Sequence, residues 1–273
     1  MKEEKKSYPD RIQAVKLVGA VLLIMIITSL FLGIFLNIFR IEYNLENPFI
    51  YMMTIIVSVL SLGGVIWYVI KNKGIDLDYI RGNNVKNVFF YYKTIILMLG
   101  LAVVISELDN LLQKIIPMNE TYMDLFNGVI DQNMVLVFLS LCIVAPLFEE
   151  TLFRGIILRG LLDNLEHWSA IFYTAFLFGI LHMNIWQGIG AFFTGIILGW
   201  LFLKTHSLYV VIFAHFVNNI LVIIAVKYTK IPGFSAVSES GFQPVWFTLT
   251  GLLLLITGII LIEKRGENSD SRN

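Results

Sequence analysis

Two adjacent glutamates lie within an otherwise apolar segment, VAPLFEETLFRGIIL, and an arginine follows them closely. Glu150 and Arg154 are four residues apart, so on a helix they share one face and can form an ion pair. Glu149 lies about 100° further round the helix, where Ala145 and Phe153 are its neighbours four residues away. The spacing therefore predicts that Glu150 and Arg154 neutralise each other and that Glu149 remains as a reactive carboxylate. The alternative is a buried ion pair that only joins two helices.

Two histidines lie in later apolar segments, His182 in FLFGILH and His215 in FAHFVNN. Phe178 precedes His182 by four residues and Asn219 follows His215 by four, so each pair shares a helix face. An imidazole can accept a proton, and an amide can donate a hydrogen bond to a developing negative charge. The alternatives are a core histidine with its hydrogen bonds satisfied, for His182, and hydrogen bonds between helices, for His215 and Asn219.

Pro146 is expected to kink the helix that carries the glutamates. Because proline has no N–H, the carbonyl of Cys142 would lack its α-helical hydrogen bond. Cys142 is also the single cysteine of the chain, which excludes a disulfide or a cysteine metal site within one molecule. Its apolar surroundings predict an inert core thiol.

The elements that must position these side chains are membrane-spanning helices. Hydrophobic residues make up 57% of the 273 residues and charged residues 15%, whereas about 25% are charged in an ordinary soluble domain. The apolar residues form runs of about 20, the length that crosses a bilayer. We predict an all-α membrane protein with about eight transmembrane helices in one bundle, at residues 17–39, 49–70, 89–111, 133–163, 168–186, 188–204, 208–227 and 244–262. With this composition we expect no nucleic-acid partner.

The distribution of positive charge predicts the orientation of the bundle. With the N-terminus in the cytoplasm, sixteen lysines and arginines fall on the inner side of the predicted spans and four on the outer side. Such a bias predicts that both termini are cytoplasmic. The run from Leu17 to Phe39 is too long for a cleaved signal peptide, so we expect a retained first helix.

The chain divides into three predicted regions. A cytoplasmic segment covers 1–16, the transmembrane domain covers 17–262 with its catalytic core at 133–227, and a disordered cytoplasmic tail covers 263–273. Glu149 and His182 each lie sixteen or seventeen residues from the turn near 164–167 that joins their helices. A hairpin would bring them to the same depth, about 25 Å from that turn. His215 is only about nine residues from its own turn, so its depth matches only if that turn lies deeper.

The patterns EExxxR, FxxxH and HxxxN, in that order on separate apolar helices, resemble the CPBP family of CAAX-prenyl endopeptidases and bacteriocin-processing (Abi) proteins. The matching residues are Glu149-Glu150-x-x-x-Arg154, Phe178-x-x-x-His182 and His215-x-x-x-Asn219, with no departure at any motif position. The resemblance covers about 130–225. It implies an eight-helix membrane fold with a proteolytic site open towards the cytoplasm.

The resemblance also implies a role for each site residue. Glu149 would activate the attacking water with the help of His182, while His215 and Asn219 would stabilise the oxyanion. Supporting roles fall to Glu150, Arg154 and Phe178. We expect no cofactor, since the chain has no HExxH motif. The alternative is Zn²⁺ held by Glu149, His182 and His215.

The leading hypothesis is an intramembrane endopeptidase of the cell membrane that cuts a membrane-associated peptide or protein at a membrane-proximal site. One alternative is a non-catalytic immunity or scaffold protein of the same fold, although every candidate catalytic position is intact. Another is a proton-coupled transporter that uses the ionisable residues as a relay, although the two halves show no repeat. The composition is rich in Lys, Ile and Asn, which suggests a bacterium with an AT-rich genome. A leader peptide, signalling peptide or bacteriocin precursor is then a better expected substrate than a prenylated protein.

Overall fold

The computed structural model describes residues 8–44, 47–118, 133–234 and 240–270, with backbone only over 265–270. The regular elements in these ranges are all helices. They are α1 (Arg11–Ile38), α2 (Pro48–Lys73), α3 (Leu77–Arg81), α4 (Val88–Ile115), α5 (Met134–Leu162), α6 (His167–Leu181), α7 (Ile185–Thr205), α8 (Leu208–Tyr228) and α9 (Val245–Asp270).

The helices have the length and composition of a membrane bundle. Among the described residues, seven helices are long and apolar enough to cross a bilayer, and these are all except α3 and α6. The helix α6 is apolar but has 15 residues, which corresponds to about 22 Å. The predicted all-α membrane bundle is confirmed. The count of eight spans and the cytoplasmic location of both termini stay predictions.

Helix α6 ends earlier than the predicted span 168–186. It stops at Leu181, and α7 begins at Ile185. Met183 has a positive φ of 56°, a left-handed conformation that does not continue a helix. Asn184 then caps α7 by accepting a hydrogen bond from the Gln187 N–H. The turn therefore places His182 at the end of a helix rather than within one.

The last helix is longer than predicted. The predicted span ended at residue 262, whereas α9 continues to Asp270. The helix therefore includes most of the segment that was predicted to be a disordered tail. Charged residues begin where the apolar run ends, so the predicted membrane span ends there. Because Glu, Lys and Arg are good helix formers, the helix itself can continue past that point.

Helix α5 contains two wider, π-helical segments, Phe138–Val144 and Thr151–Leu158. The N–H of Ala145 donates to the carbonyl of Ser140, five residues earlier. In this register the partner of the next carbonyl, that of Leu141, would be Pro146, which has no N–H. The prediction that Pro146 leaves Cys142 without its partner was therefore wrong by one residue, because it assumed α-helical spacing.

The helices that carry the candidate motifs pack closely with one another. Gly195 of α7 faces α6, where an added Cβ would lie 3.1 Å from the Cβ of Ala175. A glycine here allows the two backbones to approach, as small residues do in membrane bundles. The start of α8 is fixed by a separate contact, in which the N–H of Asn83 donates to the carbonyl of His206 at 2.7 Å. These contacts hold α6, α7 and α8 around α5.

Candidate active site

Glu150 lies at the centre of a buried polar network. Its side chain is fully buried, and Nη1 of Arg154 lies 2.9 Å from Oε1 and 2.8 Å from Oε2. The structure thus contains the ion pair expected from the four-residue spacing. The Nδ1 atom of His215 lies 2.7 Å from the same Oε1. Glu150 therefore joins α5 to α8 as well as neutralising an arginine on its own helix.

Arg154 is buried completely and uses the rest of its guanidinium on neighbouring helices. Nη2 donates to the carbonyl of Gly195 in α7 at 2.9 Å. The guanidinium carbon lies 4.8 Å from the centre of the Phe178 ring in α6. A buried charge is tolerated when it is paired and hydrogen-bonded, and Arg154 has a carboxylate, a carbonyl and an aromatic face. It therefore connects three helices at the level of the candidate site.

Phe178 is the apolar contact that the site residues share. Its ring packs edge-on with Phe153 at 5.0 Å, with His182 at 5.1 Å and with His215 at 6.0 Å between ring centres. Such packing restricts the orientation of both imidazoles. The FxxxH spacing of the sequence predicted the contact with His182 but not the one with His215.

His182 uses one ring nitrogen within its own helix. Nδ1 lies 2.9 Å from the carbonyl oxygen of Phe178. Because a carbonyl can only accept, Nδ1 is the donor and the lone pair of the neutral ring is on Nε2. Nε2 has no hydrogen-bond partner among the residues that the structure describes. Within the described residues, His182 is therefore not a core histidine with both ring nitrogens hydrogen-bonded, which was one of the alternatives.

His215 is oriented by Glu150. The carboxylate accepts from Nδ1, which leaves Nε2 of the imidazole for another partner. A carboxylate on one ring nitrogen fixes the orientation of the imidazole. No local sequence pattern indicates this contact, because the two residues are 65 positions apart on different helices.

Asn219 has a structural contact. Its Nδ2 donates to the carbonyl of Leu141 at 2.7 Å, and its Oδ1 accepts from Nδ2 of Asn218 at 3.2 Å. The amide thus satisfies the carbonyl that Pro146 leaves without a backbone partner. A hydrogen bond between helices, the alternative considered for this residue, is present. One N–H of the Asn219 amide remains for another acceptor.

Glu149 differs from its neighbour in having no partner among the residues that the structure describes. It is half-buried, and it forms no hydrogen bond or ion pair with another described residue. Its charge acts on Arg154, less strongly than that of Glu150 does. The structure therefore separates the two carboxylates as the spacing predicted. That Glu149 shares a cavity with His182 and His215 stays a prediction.

A protein zinc site needs at least three ligating side chains that converge on one point. Among the described residues, no three His, Cys, Asp or Glu side chains are placed to hold a metal ion together. The alternative ligand set of Glu149, His182 and His215 is therefore not assembled in this structure. That the protein needs no cofactor stays a prediction.

Ionisable side chains inside a bundle of apolar helices are expected of an intramembrane enzyme or a transporter. Residues 131–221 match the family described as Type II CAAX prenyl endopeptidase Rce1-like. This part of the chain contains all three motifs, and the resemblance seen in the sequence is confirmed. The protein is thus a multi-pass membrane protein with a region that matches CAAX-type endopeptidases. No curated protein and no solved structure matches the chain.

Proposed function

We propose that the protein hydrolyses a peptide bond within or beside the membrane, with Glu149 as the general base that activates water. The observation that supports this role is the difference between two adjacent carboxylates. Glu150 is bound by Arg154 and His215, whereas Glu149 has no partner among the described residues. A general base needs lone pairs that are not already used in hydrogen bonds.

In the proposed reaction, Glu149 takes a proton from water while the water oxygen attacks the peptide carbonyl carbon. The carbonyl oxygen becomes an oxyanion. The proton on Glu149 then passes to the amide nitrogen, the oxyanion re-forms a carbonyl as the C–N bond breaks, and a carboxylic acid and an amine leave. The acid then gives its remaining proton to the amine, so the final products are a carboxylate and an ammonium group. His182 assists by accepting a hydrogen bond from the water at Nε2, which is the unprotonated nitrogen of its neutral ring.

We assign oxyanion stabilisation to His215 and Asn219. His215 can donate from Nε2 when that nitrogen carries a proton, while Nδ1 stays on the Glu150 carboxylate. Asn219 can donate its second amide hydrogen while the first stays on Leu141. Donors that are fixed in advance stabilise an oxyanion strongly where water is scarce.

One observation favours a second candidate function, a non-catalytic immunity or scaffold protein. The hydrogen bonds of His215 and Asn219 both join helices, as they would if these residues served only to hold the fold. Under this reading Glu149 has no chemical role, and its substitution would leave partner binding intact. The two candidates therefore differ in whether Glu149 is required.

The proposed substrate is a membrane-associated peptide or protein with a membrane-proximal cleavage site. The family description refers to CAAX prenyl proteins. The composition of this chain favours instead a leader peptide, a signalling peptide or a bacteriocin precursor of a bacterium with an AT-rich genome.

Peptide termini in the native cell would test the proposed function. Membrane and secreted peptides would be compared by mass spectrometry among the wild type, a deletion strain and a Glu149→Gln strain. Glu42→Gln, a change at an exposed loop carboxylate, is the matched control. We expect at least one terminus that is present in the wild type and the control and missing from the other two strains. Termini that are lost on deletion but normal in Glu149→Gln would instead support the scaffold function.

A further inference from the structure

A cleft lies between α1 and α2, and none of the candidate active-site residues lines it. Its volume is about 530 Å³. The apolar walls come from Leu17, Ala20 and Ile24 of α1 and from Gly64 and Val65 of α2. Leu17, Ala20 and Ile24 follow helical spacing, so they form a continuous apolar strip along one face of α1.

Two lysines lie at one end of this cleft. Lys16 is near the start of α1 and Lys73 is the last residue of α2, and the two helices are antiparallel neighbours. The Nζ atom of Lys73 lies 5.2 Å from the centre of the Tyr8 ring. No acidic side chain lines the cleft, and neither lysine forms an ion pair with another described residue. The cleft is therefore positive at one end and apolar along its length.

The cleft opens sideways, towards the position of the lipid. Gly64 leaves it open, because a Cβ added there would meet no atom within 4 Å. Gly64 and Tyr68 on its rim are exposed. Only 17% of the most apolar part of α1 is buried, so this helix faces the bilayer. A ligand from the membrane can enter the cleft without crossing the protein.

We infer that this cleft binds one anionic phospholipid from the surrounding leaflet. Lys16 and Lys73 would hold the headgroup phosphate, and an acyl chain would lie along the strip from Leu17 to Ile24. That strip is about 10 Å long, enough for the upper part of a chain. Lysines at a membrane surface attract anionic lipid. The site does not depend on the proposed catalytic role, since its lining contains none of the catalytic candidates.

Lipid retention by the full-length protein would test this site. The protein would be placed in nanodiscs of equal parts phosphatidylglycerol and phosphatidylcholine, released, and analysed by native mass spectrometry. We expect one retained phosphatidylglycerol, with a preference over phosphatidylcholine on the order of 30-fold from two lysines. Lys16→Gln with Lys73→Gln should remove the preference. Gly64→Leu should reduce retention of both lipids because its side chain fills the cleft.

Matched variants control for charge and bulk. Lys86→Gln with Lys204→Gln removes the same charge from exposed positions outside the cleft. Gly19→Leu adds the same side chain at an α1 glycine that also has open space but does not line the cleft. Both controls should retain lipid as the wild type does. Equal retention of the two lipids by the wild type, or a wild-type preference in the double lysine variant, would overturn the inference.

Discussion

The helices that carry the motifs and the helices at the two ends of the chain are buried to different extents. In the most apolar part of α5 and of α8, 33% and 39% of residues are buried, against 17% in both α1 and α9. The buried ion pair and the hydrogen-bonded histidine lie in the first group, within the Rce1-like region. Charged groups are costly in lipid, so enclosure by other helices is what permits chemistry here. The end helices are free to face lipid.

Within the enclosed region, two neighbouring glutamates also differ in burial and in their partners. Glu150 points at Arg154 and His215 and is fully buried, whereas Glu149 is half-buried and has no partner in the described part of the chain. In the proposed function, one carboxylate contributes to the stability of the bundle, and the other keeps its lone pairs for a substrate.

Arg154→Ala should cause the largest loss of stability. It leaves Glu150 as a buried carboxylate whose guanidinium partner is gone, which costs about 3–5 kcal/mol. Folded protein, measured by thermal unfolding in detergent and by yield, should fall sharply. Lys204→Ala is the control, because the Lys204–Glu263 pair is 3.6 Å long and about half exposed and should contribute at most about 1 kcal/mol. Equal losses in the two variants would show that burial does not distinguish these pairs.

His182→Ala should lower cleavage by roughly 10²–10⁴, the usual contribution of a positioned acid or base. The half-buried ring makes one hydrogen bond within its own helix, so the melting temperature should change little. The measurement is kcat on purified protein, once a peptide has been identified. A variant that unfolds but retains its activity per folded molecule would make His182 a packing residue.

Asn219→Ala should slow turnover by roughly 10²–10³, as loss of one oxyanion donor does. It should also destabilise the protein by about 1–3 kcal/mol, because the Leu141 carbonyl loses its partner. Asn218→Ala is the matched control, since Asn218 donates to Asn219 and not to Leu141. Loss of stability at an unchanged kcat would limit Asn219 to the contact between α8 and α5.

Chelation should have the smallest effect. Because the proposed mechanism needs no metal, the rate of cleavage by the purified protein should change by no more than about twofold after dialysis against a chelator. A tenfold change in rate would correspond to about 1.4 kcal/mol. Activity would be measured before dialysis, after it, and after addition of Zn²⁺. If activity is lost on dialysis and restored by Zn²⁺, the metal-free mechanism is wrong. Glu149 would then act either as a ligand of the metal or as a base next to a ligand.

Much of the fold could be predicted because a bilayer imposes a length on apolar runs. The spans carrying the glutamates and His215, predicted at 133–163 and 208–227, are helices Met134–Leu162 and Leu208–Tyr228. The Glu150–Arg154 pair was also accessible, since residues four apart on a helix are neighbours whatever surrounds them. The successful predictions therefore depended on the length of an apolar run or on neighbours along one regular helix.

The features that the sequence did not reveal depend on contacts between helices or on a change of helix type. The bond from His215 to Glu150 needs two distant helices to pack. The π-helical register of α5 moved the unpaired carbonyl from Cys142 to Leu141, where Asn219 meets it. The early end of α6 depends on the left-handed Met183, a conformation with no strong sequence signal for methionine.

The central claim is that Glu149 does the chemistry and Glu150 supports the structure. The most direct test compares Glu149→Gln with Glu150→Gln in one preparation, with cleavage of an identified peptide and thermal unfolding measured on both. We predict no detectable cleavage by Glu149→Gln at a nearly unchanged melting temperature, because the amide keeps the shape of the side chain. Glu150→Gln should lower the melting temperature, because Arg154 would be left as a buried charge without its counter-ion. Normal cleavage by folded Glu149→Gln would contradict the claim.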